Sequence, residues 1–480
     1  MDTTCLLVGG KYHDGATFVR KNPLTGEVAS VAVAASIDQA NAAAHAAANA
    51  FAVWSQTGPN ARRAKLMLAA DCLEAKKDKF VAAMMAEIGA TAGWAQFNLM
   101  LAAGVIREAA AMTTQITGDV IPSDKPGCLA LSIREPVGVI LGIAPWNAPI
   151  ILGVRSIAMP LACGNTVIFK GSELCPQTHA LIVEAFHEVD IGDGVVNYIT
   201  NAPEDAGNVV GALIDHPAVR RINFTGSSEV GRIIAVRAAK LLKPVLLELG
   251  GKSPLIILDD ADIDEAVKSA AFGAFMNQGQ ICMSTERIIV DEKVADQFLE
   301  KFSAKVASMP VGDPREGNTP LGAVVDEKTV TKLAAFTKDA VAKGASILNG
   351  GDAKGVLIPA TVIANVTPDM KLFREESFGP IVAVIRAKNE AHAIELANDT
   401  EYGLSAAVFT RDTARGLRVA KQIQSGICHI NGSTVHDEPQ MPFGGVKNSG
   451  YGRFGGKAGI DAFTELRWIT MATLPSHYPI

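Results

Sequence analysis

The spacing of apolar residues predicts a helical stretch and then an extended arm in the first third of the chain. Residues 36–112 are rich in Ala and Met, which favours helices, and Ser36 and Gln39 have the spacing of a capping box. Between Gly118 and Arg134, β-forming residues are interrupted by two prolines. This second pattern is typical of a hairpin or arm rather than of a helix.

Short apolar runs then alternate with longer helical segments, first from residue 137 and again after Gly251. Alternation of this kind indicates parallel sheets covered by helices, so the predicted fold class is α/β, doubly wound. Predicted strands cover residues 137–143, 166–170, 221–224, 254–258, 287–291 and 463–474. Predicted helices cover residues 175–189, 227–242, 294–308 and 326–343, with a further helix opening at Asp262.

Length and composition describe a soluble protein of several domains. With 480 residues, the chain exceeds the usual size of one domain, and two or three are expected. Hydrophobic residues make up 48% and charged residues 20%, which fits a globular protein with a large core. The net charge is −6 and there is no long basic block, which argues against nucleic acid and anionic membranes as partners.

The cysteines and histidines indicate the cellular compartment and whether a metal site is expected. The seven cysteines are odd in number and form no CxxC, so reduced thiols in a cytoplasmic location are expected. The nine histidines show no HxxxH or HExxH spacing, so no metal site is predicted. The apolar stretch Val137–Val154 is interrupted by prolines and indicates a buried strand, a turn and a helix start rather than a membrane span.

Two segments carry candidate chemistry. Cys282 ends the run Asn277–Cys282, and it follows Glu248 by 34 residues (282 − 248). A cysteine thiolate, which needs nearby positive potential such as a helix N-terminus, can form a thioester. A carboxylate in apolar surroundings gains proton affinity and suits a general base. Taken alone, each residue is better explained by structure, as a buried core cysteine and as a strand-end glutamate.

Two further turns point to an oxyanion and to a phosphate. The amide of Asn147, in the run Pro145–Pro149, can hold an oxyanion together with a backbone N–H, although such an Asn also suits an ordinary turn. Gly226 and Ser227 follow a predicted strand and open a helix, so backbone N–H groups there can face a pyrophosphate. An ordinary βα turn has the same appearance.

These motifs agree in type, order and spacing with those of the aldehyde dehydrogenase superfamily, which the chain resembles along nearly its whole length. It is most similar to members that oxidise aromatic aldehydes such as salicylaldehyde, benzaldehyde or vanillin. The resemblance implies an α/β fold with a Rossmann-like NAD-binding domain, a catalytic α/β domain and a small β arm for oligomerisation. The implied boundaries are residues 1–116 and 137–249, residues 250–448, and residues 117–136 and 449–480, respectively.

The resemblance also implies a role for individual residues. Cys282 would attack the aldehyde, Asn147 would hold the oxyanion, and Glu248 would activate the water that hydrolyses the thioester. NAD is the implied cofactor, because a carboxylate at Glu173 bonds a ribose hydroxyl and repels a 2′-phosphate. The implied cofactor contacts are Trp146, Lys170, Glu173, Gly226, Ser227, Glu376 and Phe378. The implied substrate pocket contains Ala148, Ile151, Leu152, Arg155, Met276, Ile281, Met283 and Phe443.

The pocket residues are mostly apolar, which favours an uncharged aldehyde. Arg155 departs from the bulky apolar residue of broad-specificity relatives, and it either meets a phenolic substituent or pairs with a nearby acid. The predicted reaction is oxidation of an aromatic aldehyde by a homodimer or homotetramer, with salicylaldehyde as the leading substrate. The alternatives are a semialdehyde dehydrogenase, including a CoA-acylating one, a broad-specificity aliphatic enzyme and a non-catalytic binding relative.

Overall fold

The computed structural model of the protein describes residues 3–317, 319–475 and 478–480. Short strands open the chain, and four long helices and a hairpin follow. The predicted capping box is confirmed, because Ser36 Oγ accepts from Gln39 N while the Gln39 side chain accepts from Ser36 N. These elements are β1 (Thr3–Thr4), β2 (Leu6–Val8), β3 (Lys11–His13), β4 (Thr17–Lys21), β5 (Val28–Val33), α1 (Ile37–Trp54), α2 (Pro59–Ala75), α3 (Lys77–Ile88), α4 (Ala92–Met112), β6 (Asp119–Ile121) and β7 (Cys128–Pro136).

Strands and helices then alternate, as the pattern predicts. The first series is β8 (Val139–Ile143), α5 (Pro149–Ala162), β9 (Thr166–Lys170), α6 (Pro176–Glu188), β10 (Val196–Ile199), α7 (Ala206–Asp215), β11 (Val219–Thr225), α8 (Ser228–Ala239) and β12 (Val245–Glu248). The second series is β13 (Ser253–Ile257), α9 (Ile263–Phe275), β14 (Thr285–Asp291), α10 (Glu292–Ala307), α11 (Glu327–Ala342), β15 (Ser346–Asn349), β16 (Thr361–Ala364), α12 (Lys371–Arg374), β17 (Ile381–Ala387), α13 (Glu390–Asn398), β18 (Ser405–Phe409), α14 (Thr413–Ala420) and β19 (Ile427–Ile430). The chain ends with β20 (Gly450–Tyr451), α15 (Gly456–Phe463) and β21 (Thr464–Ala472).

The two series build two sheets. In the described part of the chain, the first sheet has the order β20-β12-β11-β8-β9-β10-β2-β3, and its five strands from β12 to β10 pair in parallel. The second has the order β15-β16-β17-β14-β13-β18-β19, in which the pairs are parallel except for β15 with β16. Side chains of β8 alternate between two cores, with Ile140 in one and Val139 and Leu141 in the other. Helices therefore cover both faces, and the α/β prediction is confirmed.

The predicted arm is a three-stranded antiparallel sheet of β21, β7 and β6. β7 and β21 pair along nine residues, from Cys128 opposite Ala472 to Pro136 opposite Thr464. β20, by contrast, pairs with β12 in the first sheet, so the chain returns to that sheet before it enters the arm. The strands before α1 were not predicted; three of them, β1, β2 and β3, have only two or three residues each and show no measurable period.

The connection from β12 to β13 brings the two sheets together at one cleft. Ile143 pairs with Lys170 and with Phe224, and Thr225 pairs with Glu248, so the parallel strands of the first sheet end along one edge. In the second sheet, β13 starts immediately after this edge and pairs with the start of β14. The carboxyl edge of one sheet therefore faces the amino edge of the other, where a ligand cleft is expected in an open α/β fold.

Candidate active site

Cys282 lies in a sharply turned segment between α9 and β14. Asn277, Gln278 and Gly279 have φ values of 49°, 55° and 67°, in the left-handed region. At Gly279 a Cβ would lie 2.2 Å from the carbonyl oxygen of Gly379, so only glycine fits there. Gln278 secures the turn by accepting from Gly322 N at 2.9 Å and donating to the Ala323 carbonyl at 2.9 Å. The turn directs Cys282 toward the first sheet.

Asn147 is fixed against this turn by hydrogen bonds from both its backbone and its side chain. Its backbone carbonyl accepts from Trp94 Nε1 and from Asn277 Nδ2, each at 3.0 Å. Its own Nδ2 donates to the carbonyl of Gln280 at 3.0 Å. Since an amide nitrogen carries two hydrogens, the second remains for another acceptor. Asn147 is buried, so an oxyanion beside it would meet a preorganised donor.

Glu248 ends β12 as a buried carboxylate with little hydrogen bonding. Oε1 accepts from Gly445 N at 3.3 Å, and Oε2 is buried without a hydrogen-bond partner among the described residues. Burial raises the pKa of Glu248 to about 8, an effect that the positive charge of Arg155 partly offsets. A carboxyl group with this proton affinity is a general base suited to work near neutral pH.

The surroundings of Cys282 differ from what a reactive thiolate needs. Burial raises the pKa of the Cys282 thiol, and the carboxylates of Glu248 and Glu376 raise it further. Arg155 is the positive charge that opposes them. Cys282 lies at no helix N-terminus, so Arg155 rather than a helix end supplies the positive potential that was expected near it. The thiol is protonated at neutral pH in this arrangement, and its attack on a carbonyl requires a base to take the proton.

One cavity of about 280 Å³ brings the candidate residues together. It contains the three predicted catalytic side chains and five of the seven predicted cofactor contacts. Lys170 and Glu173 lie outside its lining, at the end of β9. The lining residues are Pro145, Trp146, Asn147, Leu152, Thr225, Gly226, Ser227, Glu248, Leu249, Gly250, Cys282, Lys332, Glu376 and Phe378.

The chain was compared with known families, curated proteins and solved structures. The sequence profile of the Aldehyde dehydrogenase family matches residues 12–469. The chain belongs to this family. It is therefore an oxidoreductase, and the resemblance drawn from the motifs is confirmed.

Three relatives illustrate the similarity. The vanillin dehydrogenase of Pseudomonas fluorescens is 56% identical over 478 residues, which cover 99% of each chain. The crystal structure of a salicylaldehyde dehydrogenase from Pseudomonas putida G7, complexed with salicylaldehyde, is 50% identical with a TM-score of 0.98 and full coverage of both chains. A betaine aldehyde dehydrogenase from Staphylococcus aureus, solved in complex with NAD⁺, is 31% identical with a TM-score of 0.95 and covers 99% of this chain and 96% of its own. Aldehyde dehydrogenases use NAD or NADP.

Two groups of predicted cofactor contacts lie at strand ends of this aldehyde dehydrogenase. Ser227, which lines the cavity, caps α8 by accepting from Val230 N at 3.3 Å, so this helix begins at the cavity. Lys170 Nζ lies 3.3 Å from Glu173 Oε2 at the end of β9. Strand ends and a helix N-terminus are where an open α/β sheet holds phosphate and ribose groups.

The third group of predicted cofactor contacts, Glu376 and Phe378, lies on a loop that is held by a buried ion pair, which the sequence did not reveal. Glu376 Oε1 accepts from Gly251 N at 2.9 Å, and burial raises the pKa of Glu376 to about 7. Glu286 accepts from the backbone nitrogens of Ser377 and Phe378, the two residues after Glu376, with Phe378 N at 3.0 Å. Lys252 Nζ binds Glu286 Oε2 at 2.5 Å, and both side chains are buried. The pair thus fixes the loop that presents Glu376 and Phe378.

The predicted substrate-pocket residues belong to one apolar cluster with one exception, and of the eight only Leu152 is among the residues that line the cavity. Six of them, Ala148, Ile151, Leu152, Ile281, Met283 and Phe443, belong to one buried core cluster, and Met276 packs against it. The exception is Arg155, whose guanidinium binds Asp437 Oδ2 at 2.6 Å and lies 4.4 Å from the centre of the Phe443 ring. Of the two interpretations offered for Arg155, pairing with a nearby acid is the one observed.

Several functional side chains carried no local signal. Trp94 fixes Asn147 from α4, Lys332 lines the cavity from α11, and Asp437 binds Arg155 across 282 residues of sequence. Each acts through a contact between distant segments. Among the described residues, no helix has the length and apolar character needed to cross a bilayer, and no group of three or more His, Cys, Asp or Glu side chains is arranged to hold a metal.

Proposed function

We propose that this protein oxidises an aromatic aldehyde to its carboxylic acid with NAD, and that salicylaldehyde is its leading substrate. The observation that carries the proposal is the meeting of Cys282, Glu248 and Asn147 in one cavity. A nucleophile, a base of raised pKa and a fixed amide donor are what covalent oxidation of an aldehyde requires.

In the first half of the reaction, Glu248 accepts the thiol proton of Cys282. The sulfur then bonds to the carbonyl carbon, and the carbonyl oxygen becomes an oxyanion that accepts from the free hydrogen of Asn147 Nδ2. Bound NAD⁺ would supply the acceptor for the hydride that leaves this carbon. When the hydride is gone, the oxyanion re-forms a C=O bond and a thioester remains on Cys282.

In the second half, Glu248 acts as the base toward water, after it has released the thiol proton to solvent. It takes a proton as the water oxygen bonds to the thioester carbon, and Asn147 holds the second oxyanion. The C–S bond breaks as the carbonyl re-forms, which releases the acid, and the proton on Glu248 passes to the sulfur and restores the thiol and the carboxylate. The unpartnered Oε2 of Glu248 is the oxygen available for this proton.

The chemistry of the donor groups fits a dinucleotide. The first turn of α8 offers backbone N–H groups to a pyrophosphate, and Lys170 and Glu173 offer a cation and an anion to ribose hydroxyls. Because the Glu173 carboxylate repels a 2′-phosphate, we propose NAD rather than NADP as the cofactor. The relative solved with NAD⁺ shares the fold over nearly the whole chain.

Two relatives support an aromatic substrate and differ on which one. The relative complexed with salicylaldehyde is 50% identical, and the vanillin dehydrogenase is 56% identical, so vanillin is the second candidate. The apolar wall beside Cys282 suits an uncharged ring. Both salicylaldehyde and vanillin carry a hydroxyl group on the ring. The position of this hydroxyl that the enzyme prefers is left to experiment.

The proposal is tested by NADH formation with salicylaldehyde, vanillin, benzaldehyde, an aliphatic aldehyde and a semialdehyde, each with and without CoA. We expect kcat/KM for the aromatic aldehydes to exceed that for the aliphatic one by about tenfold or more. Turnover that requires CoA would identify a CoA-acylating enzyme. Higher values for the semialdehyde or the aliphatic aldehyde would overturn the aromatic assignment.

We also propose that the protein is a homodimer or homotetramer and that the arm contributes to the contact. β21 exposes four large apolar side chains, Leu466, Trp468, Ile469 and Met471, with 61%, 76%, 37% and 55% of their surfaces accessible. An apolar strand of this size at the end of a small sheet is typical of a surface covered by another subunit. Light scattering of the purified protein distinguishes the monomer, the dimer and the tetramer.

A further inference from the structure

A buried ion pair lies beside the reacting side chains. Arg155 is on α5, one turn after Leu152, which lines the cavity together with Cys282 and Glu248. Its Nη2 binds Asp437 Oδ2 at 2.6 Å, and only 6% and 8% of the two side chains are accessible. Asp437 Oδ1 is buried without a hydrogen-bond partner among the described residues. Charges placed so deep require a reason, because removing them from water is costly.

The segment Phe443–Gly445 connects this pair to the catalytic base. The guanidinium of Arg155 lies over the Phe443 ring at 4.4 Å, and Gly445 N donates to Glu248 Oε1 at 3.3 Å. Between them, a Cβ at Gly444 would lie 2.9 Å from Glu248 Oε1, so the segment touches the carboxylate without room for a side chain. The arginine and the base are therefore held by opposite ends of three consecutive residues.

The two members of the pair act in opposite directions on both reacting groups. For Glu248, Arg155 and Arg453 lower the pKa while Asp437 raises it. For Cys282, Arg155 again lowers the pKa, and Asp437 raises it along with Glu248 and Glu376. In both cases the influence of Arg155 is greater than that of Asp437. The net effect of the pair on both groups is therefore that of a positive charge.

We propose that Arg155 is a positioning residue for the reaction proposed above. Held by Asp437 and stacked on Phe443, it supplies a buried positive charge that allows Cys282 and Glu248 to become anions. Asp437 fixes the guanidinium and moderates its charge. This inference rests on the proposed function for its purpose. Its test, however, requires no aldehyde.

The test follows the ionisation of Cys282 in the protein without aldehyde or NAD. The rate at which iodoacetamide alkylates Cys282, measured by mass spectrometry of the peptide that contains it, reports the thiolate fraction as pH is varied. Arg155→Met is expected to move the pH midpoint upward, because the opposing positive charge is lost. Asp437→Asn is expected to move it downward, because the arginine then acts unopposed, and the two midpoints should differ by about one pH unit or more.

Three further variants distinguish an electrostatic role of Arg155 from a purely structural one. Arg155→Lys keeps the charge and should leave the midpoint close to that of the wild type. The double variant Arg155→Met/Asp437→Asn loses both charges and should fall between the two single variants. Arg221→Met is the matched control, since Arg221 is a similarly buried arginine that pairs with Glu465 of the arm. It should leave the midpoint unchanged.

A purely structural role would give a different pattern. If Arg155→Met and Asp437→Asn move the midpoint in the same direction, or leave it unchanged, the proposal is wrong. Where Arg155→Met does not fold, Asp437→Asn and Arg155→Lys decide the question, because one predicts a downward shift and the other predicts none. Since alkylation involves neither NAD nor aldehyde, a negative result here is distinct from failure of the proposed oxidation.

Discussion

The pKa of Glu248 predicts how deacylation depends on pH. A carboxyl group with a pKa of about 8 is ionised in roughly one molecule in eleven at pH 7, in half at pH 8 and in about ten of eleven at pH 9. If the anion is the base that activates water, thioester hydrolysis should rise about fivefold from pH 7 to pH 8 and less than twofold from pH 8 to pH 9.

The perturbation that tests this is Glu248→Gln, which keeps the size of the side chain and removes its basicity. Deacylation should suffer more than acylation, because water holds its proton far more tightly than a thiol does and depends more on a base. Stopped-flow measurement should show a burst of about one NADH per subunit, followed by turnover slowed by roughly 10²- to 10⁴-fold. The rise in rate between pH 7 and pH 8 should disappear in the variant.

A buried glutamate elsewhere provides the control. Glu87 is fully buried, and burial raises its pKa as well, but it binds Ser30 and Thr178, away from the cavity. Glu87→Gln should keep both the pH profile and the absence of a burst. Wild-type steady-state turnover in Glu248→Gln, without a burst, would refute the assignment of Glu248 as the base.

The remaining predictions concern the nucleophile, the cofactor and stability. Cys282→Ala should lower turnover by several orders of magnitude while NAD binding, measured by calorimetry, is retained; activity within tenfold of wild type would show that another group is the nucleophile. Glu173→Ala should weaken NAD binding and narrow the gap in kcat/KM between NAD and NADP, whereas an outright preference of the wild type for NADP would contradict the ribose contact. Glu286→Gln should weaken NAD binding by loosening the loop of Glu376 and Phe378, and an unchanged Kd would show that the loop holds without the Lys252 pair. The folded-state pKa of Glu248 is raised from 4.5 to about 8, so the stability of the wild type falls as pH rises between these values. Denaturant titration should find Glu248→Gln more stable than wild type at pH 9 by up to about 5 kcal/mol. If the stability difference between the variant and the wild type is the same at pH 9 as at pH 5, the raised pKa is refuted.

Most of the fold could be predicted because the helices and the central strands carry a strong local period. The capping residue Ser36, the strand ending at Lys170 and the helix after Asp262 each depend on neighbours within a few positions. The short strands before α1 and the return of β20 to the first sheet depend on pairing between distant segments. No periodic signal in the chain represents such a pairing.

The same distinction between local signals and contacts of distant segments applies to the candidate site. Cys282, Glu248 and Asn147 stood out because each lies in a motif whose order resembles that of a known family, and the cavity brings them together. A positive potential near Cys282 was expected from the sequence, but its source, Arg155 rather than a helix N-terminus, was not. Burial and the field of distant charges are properties of the assembled cleft, and spacing along the chain does not contain them.

Arg155 shows what this difference means for function. From the sequence alone, a charged residue in an apolar wall was explained equally well by a phenolic substrate or by a nearby acid. The structure shows the acid, Asp437, and shows that the pair touches the segment that donates to Glu248. A substrate hydroxyl would therefore meet a guanidinium whose Nη2 is already engaged. Arg155 is therefore expected to affect the rate rather than the selectivity among aromatic aldehydes, because it sets how readily the shared nucleophile and base ionise. Arg155→Met should change kcat/KM for hydroxylated and plain benzaldehydes by the same factor, and a selective loss on the hydroxylated one would contradict this role.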